Sequence, residues 1–279
     1  MVDYLGGKEI KQVHTRDLFS LNGKTSIVTG GTTGLGKQMA SALSDMGSDV
    51  VIASLDQSLC DEIAKEINHN NSKSLGIELD LANIESIQNV IEKTIKEFHK
   101  IDVLVNCAAA VGTTTPFDPI SMDAWEKMVR INLSGTFWIS HEVAEVMKKQ
   151  KSGKIINICS VYALAGVDVS LYTNDTFAHF EHFPYSITKG GVLSMTKDMA
   201  VNYARWNINV NSISPGMFPS PTVKKKYGEE VFEKLRNRTP LKRLGGEDDL
   251  KGAIVYLASS ASDYVTGHNL VVDGGWMAW

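Results

Sequence analysis

The chain has few cysteines, no long apolar run and little net charge, and each shortage excludes a class of protein. Three cysteines among 279 residues are too few and too scattered for a disulfide framework or a zinc site. No apolar run is long enough to span a bilayer, and residues 1–20 lack the apolar core of a signal peptide. A net charge of −4 argues against nucleic-acid binding. We therefore expect a cytoplasmic protein with no membrane or nucleic-acid partner.

Short β-branched runs alternate with helical patterns from Lys24 to the end of the chain. The runs predict seven strands, at residues 25–29, 49–54, 74–79, 102–106, 154–159, 208–214 and 269–273. The clearest helical pattern is a stripe of apolar residues that follows Asn83, a residue suited to an N-cap: Ile84, Ile87, Ile91, Ile95 and Phe98. Continuous apolar strands separated by helices favour a parallel sheet covered on both faces.

These patterns predict the α/β fold class, with one Rossmann-type, doubly wound parallel sheet of about seven strands. Residues 1–20 are polar and aperiodic and are interpreted as an N-terminal arm, and residues 21–279 as a single domain. A charged excursion at 217–246 separates the sixth strand from the last helix. Such an excursion is expected above the carboxyl ends of the strands, where open α/β sheets bind ligands.

A glycine-rich turn, TGGTTGLG, leaves the first strand and opens the first helix. Gly30, Gly34 and Gly36 would let the backbone turn sharply and approach a ligand, and a helix N-terminus offers free N–H groups to a diphosphate. The spacing is wider than that of the G-x-G-x-x-G fingerprint. The strand-turn-helix context nevertheless favours nucleotide binding over a simple turn.

Tyr185 and Lys189 stand four residues apart in a segment expected to be helical, so one turn would place them on the same face. A carbonyl group that receives a hydride needs a proton at its oxygen, and a free phenol is a poor proton donor or base near neutrality. A neighbouring ammonium favours the ionised form of a phenol. The pair is therefore a candidate acid and base, whereas Tyr162 and Tyr172 have no lysine four residues on.

The order of these motifs resembles the short-chain dehydrogenase/reductase family over roughly residues 21–279. NCAA at 106–109 stands where the family has Asn-Asn-Ala-Gly, and Pro215–Gly216 matches the turn after the sixth strand. The resemblance implies that Tyr185 is the general acid and base and that Lys189 supports it and reaches the ribose hydroxyls. It also implies that Ser160 holds the substrate oxygen and that Asn132 holds a water. The simpler interpretations are a strand-end hydroxyl for Ser160 and a helix cap for Asn132.

The resemblance further implies a nicotinamide cofactor, NAD or NADP, on a set of residues at the strand ends. That set comprises Gly30, Thr32, Thr33, Gly34, Leu35, Gly36, Ser54, Leu55, Asp80, Leu81, Asn106, Ala108, Tyr185, Lys189, Pro215, Gly216 and Met217. Relatives that use NADP carry a basic residue at the position of Thr33 or Leu55, and neither is basic here, so NAD is preferred. Asp56 either supplies a carboxylate to the ribose or caps the next helix.

The chain departs from the family pattern by an insertion at 161–184, between Ser160 and Tyr185. Its aromatic residues, Tyr172, Phe177, Phe180 and Phe183, either cover the substrate as a lid or pack as a surface loop. His179 and His182 do not have the spacing of a zinc motif, so we expect no metal.

The resemblance is strongest to members that act on sugar acids and polyols, such as gluconate 5-dehydrogenases and 2-dehydro-3-deoxy-D-gluconate 5-dehydrogenases. One or two cations of the excursion would then clamp a substrate carboxylate, whereas most of them are expected to form a solvated helix face. These cations are Lys224, Lys225, Lys226, Arg236, Arg238, Lys242 and Arg243.

Two alternatives stay open, a 3-oxoacyl-[acyl-carrier-protein] reductase and a catalytically silent nucleotide-binding regulator. The family also implies a homotetramer, with Trp276 and Trp279 of the closing segment as candidates for a subunit contact.

Overall fold

The computed structural model describes residues 13–68, 72–110, 121–171, 178–219 and 221–279, and of residues 169, 178–183 and 221–227 the backbone alone. Seven strands form one parallel sheet in the order β3-β2-β1-β4-β5-β6-β7. The strands are β1 (Thr25–Thr29), β2 (Asp49–Ser54), β3 (Ser74–Glu78), β4 (Val103–Asn106), β5 (Gly153–Ile158), β6 (Ile208–Pro215) and β7 (Asn269–Val272). The predicted fold class and strand number are confirmed.

Eight α-helices flank the sheet in the described part of the chain. They are α1 (Gly34–Asp45), α2 (Gln57–Glu66), α3 (Ile84–Phe98), α4 (Met122–Val129), α5 (Thr136–Gln150), α6 (Ala178–Tyr203), α7 (Pro221–Arg238) and α8 (Lys251–Ala258). A π-helical turn, Arg130–Gly135, joins α4 to α5 without a break. Among the described helices, none combines the length and the apolar composition needed to cross a membrane.

Strand β1 lies inside the sheet at the point where the strand order reverses: β2 and β3 lie on one side of it, and β4 to β7 lie on the other. It pairs with β2 on one side and with β4 on the other, so that Ile27 lies between Val51 and Leu104. Neighbouring residues of β1 point to opposite faces: Ile27 packs with the core shared by α3, α5 and α6, and Val28 with the core shared by α1 and α8. Both faces are buried, and open sheets of this kind bind ligands at the carboxyl side of such a reversal.

The predicted helical stripe is helix α3, and its cap is confirmed. The side chain of Asn83 accepts a hydrogen bond from the Glu85 amide at 2.9 Å. Ile87 is 1% exposed, but Ile84 is 43% exposed, so its assignment to the buried face is wrong. The buried stripe runs through Ile87, Val90, Ile91 and Thr94, and at 3.6 residues per turn Ile84 lies to one side of it.

A third apolar cluster gathers segments that are far apart in sequence. Val161 and Leu171 from the insertion pack with Phe232 and Leu235 of α7 and with Trp276. Trp276 is 5% exposed within the single chain, because this cluster covers its ring. Its burial therefore needs no subunit contact, contrary to the expectation from its place near the end of the sequence.

The arm and the excursion contain more regular structure than their composition indicated. A short 3₁₀ turn, Thr15–Phe19, lies within the segment interpreted as an arm, and Phe19 packs against the α1–α8 core. The excursion at 217–246 contains α7, and Gly228 breaks that helix with φ 73° and ψ 167°. A helix in this part agrees with the interpretation of its cations as a helix face, although its first half, PTVKKKY, carries no apolar stripe.

The two isoleucines of α3 give a direct test of the observed register. Ile87→Ala removes a fully buried side chain and should lower the free energy of unfolding by about 2–5 kcal/mol. Ile84→Ala, the matched control, should change it by less than about 0.5 kcal/mol, since surface substitutions have small effects. Urea denaturation of both variants measures the difference, and equal losses would contradict this register.

Candidate active site

A cleft of about 650 Å³ opens at the carboxyl ends of the central strands. Nearly all of the residues predicted for a site lie on its wall. They are Gly30, Thr32, Thr33, Gly34, Leu35, Gly36, Ser54, Leu55, Asp80, Leu81, Ala108, Ser160, Tyr185, Lys189, Pro215, Gly216 and Met217. Asn106 and Asn132 lie behind the wall instead, each 4% exposed or less.

The glycine turn lines the cleft at the end of β1, between the ends of β2 and β4, and it is too tightly packed at Gly30 and Gly36 for a larger residue. A Cβ at Gly36 would lie 2.1 Å from the carbonyl oxygen of Gly30, and one at Gly30 would lie 2.8 Å from the Cα of Ala108. Gly34 has a φ of 49° and faces open space. At these three glycines, no side chain separates the backbone and the start of α1 from the cleft, and this arrangement fits a diphosphate.

The end of β2 presents a hydroxyl and an apolar side chain to the cleft. Thr32 Oγ1 donates to Ser54 Oγ at 3.2 Å, and Leu55 is 68% exposed. Asp56 does not line the cleft, because its carboxylate accepts a hydrogen bond from the Leu59 amide at 3.0 Å and caps α2. Of the two interpretations of Asp56, the structure thus shows the helix cap.

Tyr185, Lys189 and Ser160 line the cleft near the carboxyl end of β5. Lys189 is 4% exposed, and its ammonium donates to the carbonyl oxygen of Ile158 at 2.6 Å, which fixes it at the end of β5. The Nζ atom of Lys189 lies 5.6 Å from the centroid of the Tyr185 ring. Ser160 Oγ accepts from the Tyr162 amide at 3.1 Å, so its own hydrogen can be donated to a ligand.

Two thiols also line this end of the cleft, beside the Lys189 ammonium. Burial raises the pKa of Cys107 to about 11 and that of Cys159 to about 11, although the charge of Lys189 acts in the opposite direction on both. Both side chains are therefore neutral thiols near pH 7. Lys189 then carries the positive charge at this end of the cleft with no thiolate to neutralise it.

Asn132 lies behind the cleft wall and is hydrogen-bonded to the backbone of Ala110, a residue that lines the cleft. Its Oδ1 accepts from the Ala110 amide at 2.7 Å, and its Nδ2 donates to the Ala110 carbonyl at 2.9 Å. The same Nδ2 lies 3.3 Å from Thr188 Oγ1, and this hydroxyl donates to the Tyr185 carbonyl at 2.8 Å. Asn132 thus links the chain after β4 to the helix that carries Tyr185, and it lies in the π-helical turn rather than at a helix cap.

Asn106 holds the strands together below the cleft. Its Nδ2 donates to Asn157 Oδ1 on β5 and to Ser140 Oγ on α5, each at 2.8 Å. Asn157 in turn donates to Thr196 of α6 at 2.9 Å. This polar chain therefore ties two strands and two helices together directly beneath the cleft.

Several residues of the wall were not singled out from the sequence. They are Ala53, Leu79, Cys107, Ala109, Ala110, Lys127, Ile131, Ile158, Cys159, Tyr162 and Phe218. Most directly precede or follow a strand end, a position that could have indicated them. Lys127 and Ile131 come from α4 and its π-helical extension, and the sequence carries no motif that indicates them.

Four of the seven cations proposed as a carboxylate clamp have described side chains, and none of the four lines the cleft. Arg243 binds both carboxylate oxygens of Asp249, at 2.5 and 2.8 Å, and holds the pKa of Asp249 down at about 2. Arg236 pairs with Glu229. Arg238 and Lys242 lie over the ring of Trp279, at 5.6 and 5.7 Å from its centroid.

The remaining predictions fall on side chains outside the described residues. These are the possible clamp residues Lys224, Lys225 and Lys226, the lid aromatics Tyr172, Phe177, Phe180 and Phe183, and the histidines His179 and His182. Within the described ranges, no group of three or more His, Cys, Asp or Glu side chains could hold a metal ion.

Comparison with known proteins agrees with this geometry. A family model described as enoyl-(acyl carrier protein) reductase matches residues 30–277. The chain belongs to the short-chain dehydrogenase/reductase family. The family resemblance inferred from the motifs is thereby confirmed, and so is the assignment of the chain as an oxidoreductase of this family.

Two curated members of the short-chain dehydrogenase/reductase family are similar over most of the chain. The 5-keto-D-gluconate 5-reductase of Escherichia coli K12 is 34% identical over 93% of this chain and 97% of its own length. The 2-dehydro-3-deoxy-D-gluconate 5-dehydrogenase of the same organism is 35% identical over 93% of this chain and 98% of its own.

A solved structure of the family superposes closely on this fold. The gluconate 5-dehydrogenase of Burkholderia cenocepacia, crystallised with NADP and tartrate, is 32% identical and has a TM-score of 0.84. The match covers 95% of this chain and all of that one.

The contacts of Asn132 lead to a prediction about stability. Asn132→Ala would leave the buried backbone groups of Ala110 without their side-chain partner, and the free energy of unfolding should fall by about 1–3 kcal/mol. Chemical denaturation measures the loss. A residue that only held a water would give a variant of unchanged stability, and that result would contradict the positioning role of this short-chain dehydrogenase/reductase residue.

Proposed function

We propose that the protein transfers a hydride between a nicotinamide dinucleotide and the secondary alcohol or ketone of a sugar acid or polyol. Tyr185 serves as the general acid and base of this reaction. The observation that carries the proposal is the placement of Tyr185, Lys189 and Ser160 on the same cleft as the glycine turn and the ends of β2 and β3. A dinucleotide with its diphosphate at the glycine turn and its adenosine toward β2 and β3 would lay its reactive ring beside the phenol.

The residues of the wall fit such a dinucleotide. The start of α1 and the backbone at Gly34 would hold the diphosphate, and Ser54 and Asp80 would lie near the adenosine. Lys189 would donate its remaining N–H groups to ribose hydroxyls. When bound, the nicotinamide supplies or takes up the hydride.

The protein's own groups handle the proton and the substrate oxygen. In the direction of oxidation, the Tyr185 phenolate accepts the hydroxyl proton of the alcohol, and a carbonyl group is left as the C–H electron pair departs with its hydrogen as hydride. Ser160 donates a hydrogen bond to the same oxygen. In reduction the Tyr185 hydroxyl returns the proton. The nearby ammonium of Lys189 stabilises the anionic phenolate in either direction.

The choice of a sugar acid is supported by two relatives named for gluconate derivatives and by one solved gluconate 5-dehydrogenase. A second candidate, reduction of a 3-oxoacyl group on acyl carrier protein, is supported by a relative named 3-oxoacyl-[acyl-carrier-protein] reductase, from Aquifex aeolicus, which is 32% identical over 91% of this chain. We also propose a cytoplasmic location, because Cys60, Cys107 and Cys159 are all free thiols.

Removal of the phenol hydroxyl tests the proposed chemistry. Tyr185→Phe should lower kcat for 5-keto-D-gluconate reduction by about two to four orders of magnitude, the range expected for general acid–base catalysis. The nucleotide Kd should change by less than about threefold, since the ring stays in place. Tyr256→Phe on α8 is the matched control, and absorbance at 340 nm follows the reaction.

A Tyr185→Phe variant that keeps substantial activity would contradict the assigned role. If neither 5-keto-D-gluconate, neutral polyols nor acetoacetyl thioesters support turnover by the unsubstituted protein, the nucleotide-binding regulator becomes the better interpretation. Activity on acetoacetyl thioesters alone would favour the acyl-carrier-protein reductase.

The end of β2 leads to a prediction about the cofactor. Neither Thr33 nor Leu55 offers a cation to a 2′-phosphate, so we propose that NADH binds more tightly than NADPH. The similar B. cenocepacia enzyme was crystallised with NADP, which makes the ranking a sharp test. Fluorescence titration gives both Kd values, and a lower Kd for NADPH would contradict the proposal.

An exposed aromatic surface supports the proposed homotetramer. A groove of about 800 Å³ between α5 and α6 is lined by Phe137, Trp138 and Trp206, among others, and Trp138 is 46% exposed. Exposed apolar surface of this kind marks interaction sites. Light scattering at micromolar concentration should give the mass of four chains, and Trp138→Glu should lower it. A monomer would contradict the assembly.

A further inference from the structure

Lys127 lies on the wall of the cleft although no motif indicates a role for it. It belongs to α4, one turn before Ile131, and both residues line the cleft with Ala109 and Ala110. The residue is exposed, and its ammonium has no hydrogen bond or ion pair with any side chain or carbonyl that the structure describes. An unpartnered cation at a ligand cleft is a candidate contact for a ligand anion.

Three other described cations already have partners. Lys189 donates to the Ile158 carbonyl, and Arg243 is held by both oxygens of Asp249. Arg236 pairs with Glu229. Among the described side chains, Lys127 and Lys189 are the lysines and arginines that line the cleft.

The carboxylate on the cleft wall does not neutralise Lys127. Asp80 lines the same cleft, but its Oδ1 accepts a hydrogen bond from the Ala82 amide at 2.8 Å, and it forms no ion pair with Lys127. A diphosphate would meet the amides at the start of α1 instead. The charge of Lys127 is therefore available to an anionic group other than the diphosphate.

We propose that Lys127 recognises an oxyanion of the bound ligand, in extension of the proposed dinucleotide and sugar-acid chemistry. The anion is either the carboxylate of the substrate or the 2′-phosphate of the dinucleotide, and both suit a lysine, whose ammonium is a compact charge on a flexible stem. A ligand that fills the cleft displaces water, which strengthens this contact relative to an exposed ion pair.

The experiment compares Lys127→Gln, which removes the charge, with Lys127→Arg, which keeps it. Lys96→Gln, at an exposed lysine of α3, is the control for loss of a surface charge. One arm measures kcat and KM for 5-keto-D-gluconate at low and high salt. The other measures Kd for NADH and NADPH by quenching of tryptophan fluorescence, which requires no turnover.

If the anion is the substrate carboxylate, Lys127→Gln should raise KM at least fivefold at low salt with kcat within twofold. The Arg variant should retain the original KM, and the effect should shrink at high salt. If the anion is the 2′-phosphate, Lys127→Gln should instead raise Kd for NADPH at least fivefold and leave that for NADH unchanged.

The proposal is overturned if Lys127→Gln stays within twofold of the original protein in both arms. It is equally overturned if the Kd values for NADH and NADPH rise together, since that result indicates a structural role. It is also overturned if substitution of Lys224, Lys225 and Lys226 by Gln weakens recognition of the anion, measured by the same KM and Kd values, while Lys127→Gln does not. Should the protein fail to reduce 5-keto-D-gluconate, the substrate class is wrong. The Kd for D-gluconate, measured by calorimetry, then replaces the KM measurement. The inference is overturned if Lys127→Gln changes neither this Kd nor the Kd for NADPH.

Discussion

The buried ammonium of Lys189 is the constraint on which the rest of the site depends. A charge that is 4% exposed costs several kcal/mol unless it is hydrogen-bonded, and the carbonyl oxygen of Ile158 supplies one partner at 2.6 Å. That carbonyl ends β5, so the bond ties α6 to the sheet at the cleft. Tyr185, one turn earlier on α6, is thereby held at the cleft wall at a set distance from the charge. The neutral thiols of Cys107 and Cys159 leave this charge uncompensated.

Helix α6 is held in place by a series of buried polar contacts as well as by the apolar core that it shares with α3 and α5. Thr188 meets Asn132 near the cleft, and Thr196 meets Asn157 deeper in the molecule. Asn157 is bonded in turn to Asn106. Buried polar contacts of this kind favour one arrangement of the elements that they join, because breaking one leaves a buried polar group without its partner. The wall that carries Tyr185 is therefore tied to the elements beneath it by these contacts.

The third apolar cluster is built from segments that are distant in sequence. The turn after Ser160 supplies Val161, the excursion supplies Phe232 and Leu235, and the closing segment supplies Trp276. The cations that surround this cluster bind carboxylates or aromatic rings, so they stabilise the excursion. The excursion is rich in cations, so composition alone indicated a carboxylate clamp there. Its described cations are already paired, whereas Lys127 on the cleft wall has no partner among the described residues.

Local patterns in the sequence determined much of the fold, since strand runs, caps and glycine turns depend on neighbours in the chain. They predicted the seven strands, the Asn83 cap, and the glycine turn and strand ends that line the cleft. Other features depend on contacts between segments far apart, which no local pattern reports. Among these are the exposure of Ile84, the burial of Trp276 and the position of Asn132 behind the wall. The place of Lys127 on the cleft was decided in the same way, because only the packing of α4 against α6, the helix of Tyr185 and Lys189, brings a surface lysine to the cleft.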